Sequence, residues 1–329
     1  MFRYDFMDKT LLLLLVITVC VSSSSAQLSV GFYGRSCPRV ESIVKRVALD
    51  KFKQAPTSAA ATVRLFFHDC FVEGCDASVT LASTPANRAE KDADINKSLA
   101  GDAFDSVMKA KKAVEAECPG VVSCADVLAI LTRDFVGLTG GPAWQVKKGR
   151  RDGRISRAEA ATANLPGAEF SVNQLLKNFA TKGLNLVDLV SLSGAHTFGF
   201  AHCDQFSSRL YNFSSSNRMD PTMSSSFASD LKKSCPIRGG NPNLVEPFDP
   251  VTPFEFDNAY YKNLLAGRGL VTSDQELYSD RRTRKLVRLF SKKRQRFFNA
   301  FADAMDKMGS IGVKTGTSGE IRRDCSRIN

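Results

Sequence analysis

Residues 58–78 read SAAATVRLFFHDCFVEGCDAS, an alanine-rich segment that leads into a short loop between two cysteines. Ser58 is a favourable helix cap and the alanines after it favour helix, so a helix is predicted as far as Asp69. Arg64 and His68 are four residues apart and therefore share one face of that helix. A cation beside a titratable imidazole suits proton transfer on a substrate that develops negative charge. A surface arginine beside a structural histidine would give the same spacing, so the pair alone does not establish a site.

The loop after this helix carries oxygen-bearing side chains around a glycine turn. Asp69, Asp76 and Ser78 supply these oxygens, and Cys70 and Cys75 are close enough in sequence to close the loop. Hard oxygen ligands, supplemented by backbone carbonyls, are what Ca²⁺ takes in proteins. The segment therefore predicts a calcium site, with an ordinary polar turn as the alternative.

The second candidate histidine, His196, follows an apolar helix. Residues 189–199 read LVSLSGAHTFG, and the helix is predicted to end at Gly194. A neutral imidazole at a helix end within an apolar run suits an axial haem ligand, although the position alone does not distinguish such a ligand from a structural histidine. The third and last histidine, His202, is interpreted as structural.

The N-terminus predicts secretion. Residues 11–21 read LLLLLVITVCV, an apolar run that is shorter than the roughly 20 residues a membrane span needs. Small residues follow it up to Ala26, which predicts a signal peptide over residues 1–26, with a buried core helix as the alternative. No later segment is predicted to span a membrane. Residues 27–329 then form one domain.

The composition and the cysteine content are typical of a secreted globular protein. The 329 residues are 43% hydrophobic and 24% charged, and the formal charge of +11 favours a partner of negative charge. Removal of the signal peptide takes away Cys20, one of nine cysteines. It leaves eight, an even number, in a protein that passes through the oxidising secretory pathway. Eight cysteines permit 105 pairings, among which the spacing alone does not choose.

Helical periodicity dominates the chain from Cys37 onward, and alternating β-branched runs are almost absent. The fold is therefore predicted to be mainly α, with two halves that enclose something between them. Helices are predicted over residues 58–69, 123–138, 171–180, 186–193, 224–233, 258–266 and 296–308, with further apolar stripes at Val40, Val44, Val47 and Phe52 and at Phe104, Val107, Met108 and Val114.

Eight short motifs, in this order, resemble those of the secreted plant (class III) haem peroxidases. They are 64–71 (RLFFHDCF), 74–78 (GCDAS), 122–126 (VSCAD), 149–153 (GRRDG), 192–199 (LSGAHTFG), 256–261 (FDNAYY), 272–275 (TSDQ) and 319–325 (GEIRRDC). The resemblance extends over residues 27–329. It implies the haem-peroxidase fold, in which distal and proximal helical halves sandwich a b-type haem and four disulfides brace the chain. It also implies the oxidation of phenolic donors by hydrogen peroxide.

On the distal side of the haem, the resemblance assigns a role to each of four residues. His68 resembles the histidine that takes a proton from hydrogen peroxide and returns it to the departing oxygen. Arg64 resembles the arginine that stabilises charge as the O–O bond breaks, and Phe67 fills the neighbouring position. Asn96 resembles the asparagine that holds His68 in the tautomer able to accept a proton. The family usually has proline before this asparagine, whereas Ile95 stands here.

On the proximal side, His196 resembles the iron ligand and Asp274 the carboxylate that accepts its second N–H. Phe248 is expected to pack against that imidazole, and Pro166 matches the proline at the edge where aromatic donors enter. The chain has no C-x-x-C-H attachment sequence, so the haem is expected to be bound non-covalently.

The resemblance further implies two calcium ions and a disulfide pairing. The first calcium site would use the side chains of Asp69, Asp76 and Ser78 with the carbonyls of Val72 and Gly74. The second would use Thr197, Asp249, Thr252 and Asp257 with the carbonyl of Glu255. The cysteines would pair as Cys37–Cys118, Cys70–Cys75, Cys124–Cys325 and Cys203–Cys235.

Secretion and the resemblance together predict a monomer in the apoplast or cell wall that takes part in phenolic polymerisation, peroxide removal or the response to oxidative stress. Intracellular ascorbate-type relatives carry tryptophan where Phe67 and Phe248 stand, and the single tryptophan, Trp144, is at neither position. The alternative is a basic wall protein with a vestigial haem site that adheres to acidic polysaccharide. Nucleic-acid binding, which charge alone would allow, is disfavoured by secretion.

Two surface features complete the sequence-based expectations. Residues 281–296 contain nine basic residues and no acidic one, which predicts either a solvated helix face or a patch for wall polyanions. Of the two N-x-S sequons, Asn212 is expected to be exposed and glycosylated, and Asn96 is expected to be buried and bare.

Overall fold

The computed structural model describes residues 28–238, 241 and 243–329, within which the chain forms thirteen α-helices. The predicted signal peptide, residues 1–26, lies outside the described residues. The helices are α1 Val40–Gln54, α2 Ser58–Phe71, α3 Gly101–Glu117, α4 Cys124–Leu138, α5 Ala158–Asn164, α6 Val172–Ala180, α7 Leu186–Ser193, α8 Ser207–Tyr211, α9 Ser225–Ser234, α10 Ala259–Leu265, α11 Thr272–Ser279, α12 Arg281–Lys292 and α13 Arg294–Met308. The 3₁₀ turns Ser78–Thr80, Glu90–Asp92, Asp94–Asn96, Gly194–Thr197 and Cys203–Gln205 connect them.

Helices α1 to α4 form one half of the molecule, with α4 at its centre. Almost every side chain of α4 is buried, and its N-terminus is capped by Ser123, whose Oγ accepts the Asp126 backbone N–H at 3.1 Å. Helix α2 packs against both α3 and α4. The helix that carries Arg64 and His68 is therefore held on two sides, which fixes the direction of both side chains.

The other half is built on α7 and α13, which pack against each other with α10, α11 and α12 alongside. Rings of Phe256, Phe297 and Phe301 lie between them, with centroids 4.7–5.9 Å apart. A Cβ at Gly194, directly after α7, would overlap Phe297. Glycine therefore lets α7 end against α13 and lets the 3₁₀ turn that follows present His196.

Two contacts join this second half to its surroundings near His196. Strand β1, Phe200–His202, pairs antiparallel with β2, Val245–Pro247, and the Phe248 N–H then donates to the Gly199 carbonyl at 3.1 Å. Gly199 has a positive φ of 91°, and a Cβ there would lie only 2.8 Å from that of Ala60 on α2. The sequence does not predict this strand pairing, because three-residue strands are too short to show an alternating pattern.

The structure confirms the mainly helical fold and contains the four disulfides that the resemblance implies: Cys37–Cys118, Cys70–Cys75, Cys124–Cys325 and Cys203–Cys235. They link residues up to 201 apart in sequence, so they restrict the unfolded chain strongly. In the part of the chain that the structure describes, every helix falls short of the length and apolar content that a bilayer crossing requires.

Candidate active site

A chain of two hydrogen bonds fixes the imidazole of His68. The Asn96 Nδ2 donates to the Glu90 carbonyl at 2.8 Å, which turns Asn96 Oδ1 toward His68 Nδ1 at 2.6 Å. Because that oxygen only accepts, His68 Nδ1 carries the proton and Nε2 is left as a proton acceptor. Asn96 is 1% exposed and is held by the 3₁₀ turn Asp94–Asn96, so Ile95 in the usual proline position does not displace it.

Arg64 lies on the same helix and is also fixed. Its two terminal nitrogens donate to the Ser98 carbonyl at 2.8 Å and to the Ser98 Oγ at 3.0 Å. Burial lowers the pKa of Arg64 to about 10, so the guanidinium is charged at neutral pH. Burial, reinforced by the Arg64 charge, lowers the pKa of His68 to about 3 despite the opposing bond from Asn96. The pair therefore combines a fixed cation with a neutral base.

Phe67 forms the apolar side of this arrangement. Its ring centroid lies 5.8 Å from that of His68, in an edge-on arrangement, and 4.1 Å from that of Phe71. The structure therefore brings together all four distal residues that the sequence analysis named.

His196 is fixed from three directions in the second half. Its Nδ1 contacts Asp274 Oδ1 at 2.8 Å, and the Phe248 ring stacks on the imidazole with centroids 3.9 Å apart and planes 11° apart. The Tyr260 ring stands edge-on at 6.2 Å. Among the described residues, Nε2 of His196 has no hydrogen-bond partner, although Nδ1 is engaged. An imidazole whose second nitrogen is free is a suitable ligand for haem iron, so these residues fit the group.

The residues expected at the first calcium site also fit a cation. Asp69 and Asp76 are buried side by side, and burial, reinforced by the Asp76 charge, raises the pKa of Asp69 well above its usual range. Burial, reinforced by the negative charge of Asp69, raises the pKa of Glu90 to about 9. Both carboxylate oxygens of Glu90 and the Ser78 Oγ are buried without a hydrogen-bond partner. Buried oxygens of this kind are compatible with a bound cation. Lys314 contacts one oxygen of Asp76, so a bound ion would share this carboxylate with it.

The loop around these residues is held in a strained shape. Ala77 is the only non-glycine residue of the described chain with a positive φ, and its N–H donates to Asp69 Oδ2 at 2.9 Å. Gly74, at φ 98°, leaves no room for a Cβ against Gly312. Val72 and Gly74 are both buried beside the Cys70–Cys75 disulfide.

At the second expected calcium site, threonine hydroxyls and aspartate carboxylates converge. Thr197 Oγ1 donates to Asp257 at 3.0 Å, and Thr252 Oγ1 lies 3.1 Å from Asp249 and 3.2 Å from Asp257. No lysine or arginine pairs with either aspartate among the described residues, and Glu255 is exposed, so only its backbone carbonyl is invoked. The described residues contain no cluster of three or more acidic, histidine or cysteine side chains arranged for a metal. A calcium ion at either expected site would therefore need hydroxyl and carbonyl oxygens besides the aspartates, and calcium accepts such ligands.

Pro166 and Asn212 lie away from these clusters in sequence. Pro166 is half-buried between α5 and α6, two residues before Ala168, whose carbonyl accepts the Ser273 N–H at 2.9 Å. Asn212 is exposed directly after α8.

The sequence analysis missed several site residues, among them Ser98 and Tyr260. Ser98 orients Arg64, and the Tyr260 hydroxyl donates to Asp274 Oδ1 at 2.9 Å. Burial, reinforced by the Asp274 charge, raises the pKa of Tyr260, which keeps the hydroxyl protonated. Tyr260 stands within the motif at 256–261, but spacing along the chain gives no signal that its hydroxyl reaches a residue on another helix.

Comparison with known proteins gives consistent matches. The family model described as "Peroxidase" matches residues 44–293. Among curated proteins of Arabidopsis thaliana, Peroxidase 51 is 51% identical over 327 residues, which cover 98% of this chain and 99% of that protein. Peroxidase 55 is 52% identical over 309 residues, 94% of this chain and 93% of that protein, and Peroxidase 16 is 52% identical over 310 residues, 94% of each. The similarity therefore covers both halves of the molecule.

Proposed function

Because the chain belongs to the plant class III peroxidases, which oxidise donor molecules at the expense of hydrogen peroxide, we propose that Arg64, His68 and Asn96 act on the peroxide and that His196 holds the haem iron. The observation that carries the proposal is the bond chain from Glu90 through Asn96 to His68, which leaves the Nε2 of a neutral, buried imidazole free. When bound, haem b supplies the electron transfer, taking up two oxidising equivalents from peroxide and passing them singly to donors.

The distal residues handle the proton and the charge. His68 Nε2 accepts the proton of hydrogen peroxide, and the resulting imidazolium returns it to the departing oxygen as water leaves. Arg64 carries its charge at neutral pH and faces the same space, so it stabilises the negative charge that develops when the O–O bond breaks. Asn96 keeps Nδ1 of His68 protonated throughout, and Phe67 excludes water beside the imidazole.

The proximal residues hold the iron and tune its ligand. His196 would bind through Nε2, since Nδ1 is engaged by Asp274, and the stacked Phe248 prevents rotation of the ring. The negative charge of Asp274 makes the imidazole a stronger electron donor. No covalent attachment sequence is present, so we infer a non-covalent haem.

The donors are inferred to be small phenols that approach the edge near Pro166, and the setting to be the apoplast or cell wall. The short apolar run at residues 11–21 and the four disulfides support secretion. Phenolic polymerisation, including lignin, as well as peroxide removal and the response to oxidative stress, are the roles that this chemistry and location favour. Two calcium ions, at the sites around Asp69 and Asp257, are proposed to brace the elements that carry His68 and His196.

The pH profile of the reaction with peroxide tests the distal assignment. His68 accepts a proton only in its neutral form, and its pKa of about 3 lies below the usual 6.5. The rate constant should therefore stay level from neutral pH down to about pH 4 and fall roughly tenfold per pH unit below about pH 3. Stopped-flow mixing with a pH jump measures this before acid unfolding. A decline centred near pH 6.5 would contradict a buried, neutral His68.

The two sequons give a second test. Asn96 is buried and bonded to His68, so a glycan there would break the bond chain, whereas Asn212 is exposed. Mass spectrometry of the secreted protein is expected to find a glycan on Asn212 and none on Asn96. An active, haem-containing fraction glycosylated at Asn96 would remove that residue from the site.

A second function, adhesion to acidic wall polysaccharide, is favoured by the charge of α12 and the start of α13. Of the nine basic residues at 281–296, eight are exposed, and only Arg282 pairs with a carboxylate, Asp280, among the described residues. The run is not one helix: α12 ends at Lys292 and α13 begins at Arg294, so the cationic side chains spread around the junction. A polyanion would gain from contact with several uncompensated cations at once.

Retention on immobilised polygalacturonate tests the patch. The protein should be retained at low salt and released at moderate salt, because charges are screened within about 8 Å at physiological ionic strength. Charge reversal by Lys292→Glu, Lys293→Glu and Arg294→Glu together should weaken retention without changing guaiacol turnover. The control reverses three exposed cations of α1, through Lys45→Glu, Arg46→Glu and Lys53→Glu, and so makes the same change in net charge. If the two variants are retained equally, net charge and not the patch determines retention.

A further inference from the structure

The carboxylate of Asp274 accepts more hydrogen bonds than the one from His196. Its Oδ1 lies 2.8 Å from His196 Nδ1 and 2.9 Å from the Tyr260 hydroxyl, and its Oδ2 accepts the Val271 N–H at 3.2 Å. The imidazole and the phenol therefore share one oxygen atom. The negative charge of that oxygen that polarises toward one of these donors is no longer available to the other.

Tyr260 is placed so that its hydroxyl has to serve this carboxylate. It is 1% exposed at the start of α10, and its ring stands edge-on to the His196 imidazole. Among the described residues, Asp274 is the only hydrogen-bond partner of the Tyr260 hydroxyl. A buried phenol beside a carboxylate donates its proton to that charge, and such charge-assisted bonds are the stronger ones.

We propose that Tyr260 is a positioning residue that limits the electron donation of His196 by competing for Asp274 Oδ1. By sharing the negative charge of that oxygen, the phenol lowers its proton affinity, so the His196 N–H is polarised less than Asp274 alone would polarise it. The proposal rests on the proposed role of His196 as the iron ligand. In this proposal the Asp274 carboxylate strengthens the electron donation of His196, and the Tyr260 hydroxyl weakens that effect.

Removal of the hydroxyl by Tyr260→Phe should make His196 more anionic and so favour ferric over ferrous haem. Hydrogen bonds to charged groups are the stronger ones, so the part of this loss that is transmitted to the iron should lower the equilibrium constant for reduction by about tenfold. For a one-electron couple, tenfold corresponds to about 59 mV toward negative potential. Spectroelectrochemical titration measures this shift, and the iron–imidazole stretching frequency of the ferrous form should rise with it.

The next residue in the chain provides a matched control. Tyr261 is equally buried, but its hydroxyl donates to the Val190 carbonyl at 2.8 Å and not to Asp274. Tyr261→Phe removes the same atom from the same region and should leave the potential unchanged. Asp274→Asn removes the negative charge that both partners share, and it should shift the potential in the opposite direction, toward positive values.

These variants separate the inference from the proposal on which it rests. A negative shift for Tyr260→Phe, with none for Tyr261→Phe and a positive one for Asp274→Asn, supports the competition. An unchanged potential for Tyr260→Phe beside a positive shift for Asp274→Asn overturns the inference alone. If neither variant moves the potential, the proposed iron ligand is wrong as well.

A second substitution keeps the test decisive if Tyr260→Phe does not retain haem. Site-specific incorporation of 3-fluorotyrosine at position 260 preserves the ring and the hydroxyl and makes the hydroxyl a stronger donor. The stronger donor should draw more charge from Asp274 Oδ1, so the potential should shift toward positive values. No shift, or a shift toward negative values, would overturn the inference.

Discussion

Replacement of His68 by alanine is expected to slow the reaction with hydrogen peroxide by at least about 10²–10⁴-fold, the usual contribution of one positioned acid–base group. The loss should lie toward the upper end, because Arg64 stabilises charge that develops only when a proton is moved. Haem binding should persist, since the proposed iron ligand, His196, lies on the opposite half of the molecule. Stopped-flow absorbance of the haem after mixing with peroxide is the measurement.

The control for this experiment is His202→Ala, which removes the one histidine of the chain that the proposed mechanism does not use. His202 lies in β1, and no side-chain hydrogen bond of its imidazole is found in the described part of the chain. Its substitution should leave the rate with peroxide unchanged, because this imidazole takes no part in the proposed proton transfer. A near-normal rate in His68→Ala, with haem content unchanged, would contradict the distal assignment.

The geometry around both histidines weighs against a vestigial haem site in a wall protein. His68 keeps its bond to Asn96, and His196 keeps its bond to Asp274, at 2.6 Å and 2.8 Å. The first bond joins residues 28 apart in sequence and the second joins residues 78 apart. A chain released from selection for peroxide chemistry would have no reason to retain both.

The sequence predicted the local structure of this site better than its long-range contacts. Helix α2 follows from its alanines, and it continues only two residues past the predicted end at Asp69. The predicted cap is wrong: Ser58 is the first residue of the helix and its Oγ is buried without a partner, while Thr57 before it makes no capping bond. The pairing of Asn96 with His68 came from resemblance, because no periodicity links a 3₁₀ turn to a helix 28 residues earlier. Tyr260 was quoted in a motif yet given no role, since a hydroxyl that reaches another helix leaves no trace in spacing.

Other differences have equally physical causes. The charge pattern at 281–296 predicts one segment, but Lys293, at φ −128° and ψ 77°, divides it into two helices, and both Phe290 and Phe297 are buried in the core. Lys314 was not associated with the calcium loop, although its ammonium contacts Asp76 across 238 residues. Contacts of this kind are decided by tertiary packing and not by local propensity.

Removal of calcium is expected to lower activity and thermal stability together. Asp69 directly follows His68, and Thr197 directly follows His196, so each proposed ion is attached to the element that carries a histidine. Without the ions, the buried oxygens of Asp69, Asp76, Glu90 and Asp249 would lose their compensating charge. An ion present at 100 times its dissociation constant stabilises a protein by about 2.7 kcal/mol, so exhaustive chelation should lower the melting temperature by several degrees.

Three variants make the calcium prediction specific to each site. Asp76→Asn and Asp249→Asn should each reduce the calcium content measured by elemental analysis by about one ion per chain, since each removes a charged ligand of one proposed site. Asp230→Asn, on the exposed face of α9, should leave the content unchanged. Restored calcium should recover the melting temperature and the haem spectrum of the parent protein. Two results would contradict the first site: chelation that changes neither quantity, or an Asp76→Asn variant that binds as much calcium as the parent and the Asp230→Asn control. In either case, Lys314 and neighbouring hydrogen bonds balance the buried carboxylates, and no calcium ion braces His68.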